Sequence, residues 1–250
     1  LAYYCLWNTF AISKKKKLTM KKKLLLISTI IISLYSINNV AQSVYSNTDI
    51  DKYISKRNVE TYIEADFTGT PYKNKEFKKG TILKNGVAIT NNIGLRYNAA
   101  KDLFEVKKTS VLKDSQANVL KSSKDISLKL GNERFVFLTP NENNTTQGYF
   151  IDVYSVENAS LYKKIKKVYI PEQKAYTSLA SNIAANYKEK VTLYLYTKDG
   201  LLVELPSSKS KRIKAFGDKS KEIKIFVKES KVNINKESGL IEVIKYYSSL

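Results

Sequence analysis

The side chains in this sequence that could do covalent chemistry are few in kind. Histidine is absent and the one cysteine is Cys5. Beyond that position, histidine-dependent Ser or Cys triads, soft-metal sites and histidine-ligated zinc are excluded. Carboxylate chemistry remains. Glu60, Glu64, Asp66, Glu105 and Asp152 fall in segments patterned as strands. A glycosidase needs only two carboxyl groups at a set separation, one to donate a proton and one to attack or to activate water. Nothing in the spacing of these five makes two of them converge, and an acid on the wet face of a strand is the ordinary case. Asp49-Ile50-Asp51 is too sparse in oxygens for calcium, and no EF-hand loop occurs. There is also no glycine-rich phosphate loop and no nucleic-acid motif. No catalytic, cofactor-binding or metal-ligating residue is assigned by motif, and no cofactor is implied.

Non-covalent recognition has more to draw on. Tyr62, Tyr97, Tyr149, Tyr154, Tyr162, Tyr194, Tyr196, Tyr246 and Tyr247 stand on expected elements. Exposed beside lysine, such rings stack on sugars or lie at a membrane surface. Their strand propensity favours the plainer role of half-buried positions on a sheet face. Lys163-Lys164 and Lys166-Lys167 could meet lipid phosphates at about 1 kcal/mol each. As lysines of an edge strand they would equally block sheet-to-sheet aggregation, and the pattern favours that role. The chain carries 43 basic and 23 acidic residues, a formal charge of +20. Its arginines, Arg57, Arg96, Arg134 and Arg212, form no cluster in sequence, so bidentate phosphate recognition is not signalled. A lysine excess suits anionic partners and solubility without pointing to one site.

The elements that would position these residues begin late in the chain. Met20 to about Ser43 has three lysines at 21–23, an apolar core Leu24–Leu34 and a polar, small-residue end, the layout of a cleaved secretory signal peptide. About eleven apolar residues fall short of the roughly twenty that span a bilayer, so no transmembrane helix is expected in the mature chain. Cleavage after Ala41 or Ser43 is expected, Ser43 fitting the small-x-small rule better. Residues 1–19 precede the single methionine and are expected to be an upstream leader assigned in error. With the seven lysines of 1–43 removed, 36 basic residues remain against 23 acids, a net of +13. Residues 44–58 form a polar lead-in.

From Val59 to Leu205 the pattern is that of strands. Val59–Thr68 stops at Gly69-Thr70-Pro71. Asn85-Gly86 lies between the apolar runs Thr81–Leu83 and Val87–Ile89, the sharpest hairpin signal in the chain, since both central residues of a type I′ turn need positive φ. Leu95 and Tyr97 pair with Phe104 and Val106 in a second hairpin around Asn98–Asp102. A short strand and turn follow in Val111–Lys121. Ile126, Leu128 and Leu130 precede Gly131-Asn132, Phe135 and Phe137. Tyr149, Ile151 and Val153 on one parity, with Phe150 and Tyr154 on the other, describe a strand covered on both faces. Leu161–Ile170 is expected to expose its lysines, and Glu172–Lys188 to be a loop or short helix. Val191–Tyr196 returns through Asp199-Gly200 to Leu201–Leu205. After Pro206 the period becomes helical: Ser207 or Ser208 and then Asp218 can cap helices, and Ile213/Phe216, Ile223/Phe226/Val227 and Leu240/Ile241/Ile244/Tyr247 mark their apolar faces. Lys219, Glu222, Lys228 and Glu229 read as solvated positions. The expected fold class is α+β, a mostly antiparallel β body of hairpins and meander over 59–205 followed by a small helical unit over 206–250.

Phe77–Thr81 with Lys84-Asn85-Gly86, then Leu95–Asn98 and Phe104–Val106, then Leu202–Pro206 and the ending Tyr246–Leu250, resemble a family of exported proteins of flavobacterial-type Gram-negative bacteria. The resemblance covers most of the mature chain and implies export and a β-rich fold, with no activity to carry over. The expectation is a secreted or periplasmic protein, non-enzymatic, acting as a binding or structural module of the cell envelope. It would sit in the periplasm, at the outer membrane or outside the cell. An envelope protein or an anionic glycan or lipid surface is the partner class, and nucleic acid is disfavoured. The alternative is a carboxylate-dependent hydrolase of envelope or extracellular glycans.

Overall fold

The computed structural model describes residues 50–55, 67–177 and 181–250, all within one unit, Ser46–Leu250. The leader, the signal segment and residues 59–66 of the strand expected over Val59–Thr68, with Glu60, Tyr62, Glu64 and Asp66, lie outside the described residues.

Eleven strands form one sheet: β1 (Ile54–Ser55), β2 (Lys78–Lys84), β3 (Val87–Asn98), β4 (Leu103–Lys107), β5 (Asn118–Leu120), β6 (Ile126–Leu130), β7 (Glu133–Leu138), β8 (Gly148–Val156), β9 (Ala159–Ile170), β10 (Asn186–Thr197) and β11 (Leu202–Leu205). Their order is β1-β5-β4-β3-β2-β6-β7-β8-β9-β10-β11, and every strand pair is antiparallel. The body is thus two meanders joined where β2 pairs with β6. One runs β2 to β5 with β1 added outside it, and the other runs β6 to β11.

Local chemistry sets the hairpins. Asn85 and Gly86 have φ of 47° and 83°, so the chain reverses in the turn whose twist suits the flanking strands, and Lys84 pairs with Val87. Tyr97 pairs with Phe104 and Leu130 with Glu133. The long hairpin β9–β10 keeps one register over twelve pairs, from Ala159–Thr197 to Ile170–Asn186. Of Val111–Lys121, only Asn118–Leu120 is strand; a 3-10 turn occupies Asp114–Gln116 and Val111 is exposed. Within the segment expected to be a loose lead-in, Ile50 and Ile54 are buried, because β1 pairs with β5 and carries them into the core.

The sheet curls back on itself. Four strands separate β3 from β9 in the order, yet the Lys167 amide donates to Ala99 O at 3.2 Å and the Tyr97 hydroxyl lies 3.5 Å from Ile165 O. Inside the curl packs a core that includes Ile82, Leu95, Tyr97, Phe104, Leu128, Phe135 and Tyr149. The Phe104 ring stands 4.9 Å from both Phe135 and Tyr149, edge to face, a favoured aromatic geometry. Tyr149, Phe150 and Ile151 are all buried, as the double parity of β8 predicts.

A second core joins Ala159, Leu161, Leu195 and Leu205 to three helices: α1 (Lys209–Lys214), α2 (Ser220–Glu229) and α3 (Glu237–Tyr247). Ser208 is the N-cap of α1 without a side-chain cap bond. Asp218 lies in a 3-10 turn, Gly217–Lys219, just before α2 rather than capping it. The apolar faces Ile213/Phe216, Ile223/Val227 and Leu240/Val243/Ile244 are buried. Val153, at an irregularity of β8 between Asp152 and Tyr154, packs against both cores. The fold is α+β, a β body with a small C-terminal helical unit.

Candidate functional site

The acids read from the sequence are engaged elsewhere. Glu105 on β4 is 1% exposed, and its Oε2 accepts from Arg96 Nε at 2.9 Å and Nη2 at 2.7 Å. Arg96 Nη1 donates to Asp114 Oδ2 at 2.8 Å and to Lys75 O at 3.0 Å. The rings of Tyr72 and Phe77 lie 4.0 and 4.1 Å from Arg96 Cζ. Glu105 is therefore a counter-ion for a buried guanidinium. Burial alone would raise the Asp114 carboxyl, but a hydrogen bond from Lys107 and the Arg96 charge outweigh it and hold the group below its usual range. Asp152 accepts from the Ser155 hydroxyl at 2.7 Å. Among the described residues no direct hydrogen bond joins Glu105 or Asp152 to a second acid. No group of three or more His, Cys, Asp or Glu among them could hold a metal.

The lysine reading of β9 is corrected. β9 lies between β8 and β10, paired on both sides, so its lysines guard no edge, and their expected exposure also fails. Lys163 Nζ reaches both carboxylate oxygens of Glu237 in the first turn of α3 at 2.9 Å. Lys167 pairs with its cross-strand neighbour Glu189 at 2.9 Å. Lys164 is 4% exposed, 2.8 Å from Asp102 Oδ2 and 3.3 Å from Tyr149 O, with its ammonium 4.4 Å from the Phe150 ring centre. Burial pulls its proton affinity down, opposed by Asp102. Asp102 Oδ1 also accepts from the Tyr97 hydroxyl at 2.7 Å and the Tyr149 amide at 3.1 Å, so this cluster pins the β3–β4 turn to β8 and β9. Only Lys166 of the four is exposed. Alternation along the strand could not reveal this, because a helix and a distant turn supply the partners.

The sheet-face reading of the tyrosines holds for Tyr154, Tyr162, Tyr194 and Tyr196, half-buried on β8, β9 and β10, whereas Tyr246 and Tyr247 lie on α3. Tyr97 and Tyr149 are buried. Tyr162 and Tyr194 pack on Phe150 at 6.1 and 5.5 Å, and Tyr196 packs on Tyr162 at 5.8 Å. Tyr246 stacks on Phe226 at 4.3 Å, and Tyr247 meets Phe216 edge-on at 5.3 Å.

The helical unit offers a different surface. Residues 209–231 carry nine basic and three acidic side chains. Between α1 and α2 runs a groove of about 540 Å³ lined by Lys209, Ser210, Ile213, Lys224, Val227, Lys228, Lys231 and Val232. Four lysines thus line the groove around Ile213, Val227 and Val232 with no acid in the lining, and none of the four has an ion-pair partner among the described residues. Lys228, in the last turn of α2, complements the helix dipole. Lys209, in the first turn of α1, and Lys224, mid-way along α2, have no such support. Lys231 has φ 54°, the left-handed conformation that follows many helices, where glycine is the usual occupant; a lysine there costs about 1 kcal/mol.

A second cleft, about 460 Å³, is lined by Phe77, Lys78, Lys79, Lys107 and Asp114 among others. There Lys107 is paired with Asp114 at 3.0 Å, and Phe77 is flanked by Arg96 and Lys107. Its charges are largely compensated from within. The α1–α2 groove is accordingly the strongest candidate site, suited to holding an anion by Coulomb attraction while contacting apolar matter at its floor. Lys221, Lys224 and Lys228 recur at helical spacing, a signal in the sequence that the alternating-charge reading of Lys219, Glu222, Lys228 and Glu229 passes over. Comparison with known protein families, with curated proteins and with solved structures yields no match.

Proposed function

We propose that this protein is an exported, non-enzymatic binding module that engages an anionic partner at the lysine groove between α1 and α2. One observation carries the reading: four lysines line one groove with an apolar floor and no acid among the lining residues. Several other lysines named above are spent on internal pairs, as with Lys107, Lys163, Lys164 and Lys167. The occupation of Glu105 by Arg96 weighs against carboxylate hydrolysis. The signal-like segment 20–43 and the resemblance to exported envelope proteins support the compartment. An intact mass that starts after Ala41 or Ser43 is the outcome export predicts, and a retained apolar segment in a cytoplasmic protein contradicts it.

The binding claim is tested by titrating soluble polyphosphate at increasing salt. The wild type is expected to bind with an affinity that falls linearly on logarithmic axes. The triple variant Lys224→Gln, Lys228→Gln, Lys231→Gln should lose roughly one unit of that slope per lysine. Equal binding by both proteins contradicts the assignment.

A further inference from the structure

We infer that the surface the groove meets is an anionic lipid bilayer, with the lysines among the phosphates and the apolar side chains at the acyl boundary. This rests on the reading of the groove as an anion site and names its partner.

On α2, Lys221, Lys224 and Lys228 line one stripe at i, i+3 and i+7, and Lys231 continues it beyond the helix end. Ile225, 56% exposed, sits about 100° round the helix from Lys224. Val232 lies half-buried in the groove itself. A basic stripe beside an exposed isoleucine suits a helix that rests its charged side on an anionic membrane interface. Polyanions such as nucleic acids are gripped by arginine forks and stacked aromatic rings, and neither lines this groove. Its neighbour Arg212 is buried and turned inward, donating from Nε to Pro206 O at 2.7 Å and from Nη1 to Ile234 O at 2.8 Å. A lipid surface offers phosphate for the ammonium groups of the groove and hydrocarbon for Val232 in its lining and for Ile225 on the neighbouring face of α2. Each lysine near an anionic leaflet contributes enough for about a fivefold gain in partitioning.

The experiment is co-sedimentation of the purified protein, in the form its host produces, with phosphatidylcholine vesicles with and without phosphatidylglycerol. Three proteins are compared: wild type, the groove variant Lys224→Gln/Lys228→Gln/Lys231→Gln, and a variant of equal charge on the sheet, Lys166→Gln/Lys188→Gln/Lys190→Gln. Circular dichroism establishes that each is folded. The wild type should sediment only with the anionic vesicles, the groove variant should lose about a hundredfold in partitioning, and the sheet variant should stay within a fewfold of wild type. Equal losses in both variants overturn the inference, because net charge alone would then be acting. Sedimentation with both vesicle types alike overturns it too, as an apolar segment would produce that. If the wild type binds soluble polyphosphate through the groove but ignores anionic vesicles, the lipid inference falls while the anion site stands. If it binds neither, both fall.

Discussion

Arg96 shows how one side chain can remove a functional possibility. Its guanidinium lies between two rings and gives hydrogen bonds to Glu105, Asp114 and Lys75 O. Taking one partner from a buried pair leaves an uncompensated charge and costs about 3–5 kcal/mol, whereas replacing both partners can be nearly neutral. Arg96→Met should therefore lower stability by that amount in urea unfolding, and adding Glu105→Gln should recover a large part of it; equal, additive losses would contradict the pairing. The buried tyrosines govern the alkaline limb. Burial, with the neighbouring Asp102 charge, raises the Tyr97 hydroxyl far above its usual range, and burial pushes Tyr149 up to about 12. Above pH ~10 these groups ionise in the unfolded chain while they stay protonated in the native one, so the native state binds more protons and stability falls with rising pH. The slope is roughly 1 kcal/mol per pH unit for each tyrosine. Lys164, lowered by burial, acts in the opposite sense: the cost of holding it charged is relieved as pH rises towards 10.5, the ordinary lysine value. Tyr149→Phe should flatten the decline between pH ~10 and ~12 in denaturant titrations, and an unchanged limb would contradict the assignment.

At the scale of elements, turns were the most legible feature. Asn85-Gly86, Gly131-Asn132 and Asp199-Gly200 announce reversals because few residues accept positive φ, and the alternation of Leu95/Tyr97 and Phe104/Val106 fixes which side chains meet. What alternation cannot contain is non-local pairing. The union of β6 with β2 depends on strands far apart in sequence, so the order of the sheet was hidden, and with it the fact that β9 is interior. The fate of Lys164 was hidden for the same reason. Gly148 opens β8 with φ 126°, and a Cβ there would collide with Asp102 Oδ2 and Lys164 Nζ. Gly131 also has positive φ, 63°, but a Cβ there would meet nothing within 4 Å. Gly131→Ala should cost about 1 kcal/mol from backbone strain alone, while Gly148→Ala should cost about 3 kcal/mol or more by disturbing the pin as well. Thermal unfolding of the two side by side separates the terms, and equal shifts would contradict the close packing at Gly148. The same limit explains the candidate site: the lysine stripe of α2 is visible at helical spacing, whereas its meeting with Lys209 of α1 requires the helices to be packed.

For the molecule as a whole, the helical unit has two faces with separate tasks. Its apolar face closes the second core over Leu161, Leu195 and Leu205. Three buried leucines, each contributing about 2 kcal/mol, total a sum comparable with the 5–15 kcal/mol that keeps an ordinary domain folded. Removing the chain after Leu205 should thus yield aggregation or strong binding of an apolar dye; a soluble, cooperatively unfolding product would contradict the shared core. The outward face carries the lysines of the proposed anion site. The most direct measurement is amide hydrogen exchange of the protein with and without saturating polyphosphate. Slowed exchange concentrated in residues 209–232 is the predicted result. Binding that protects only the β body, or leaves the helical unit unaltered, would contradict the account.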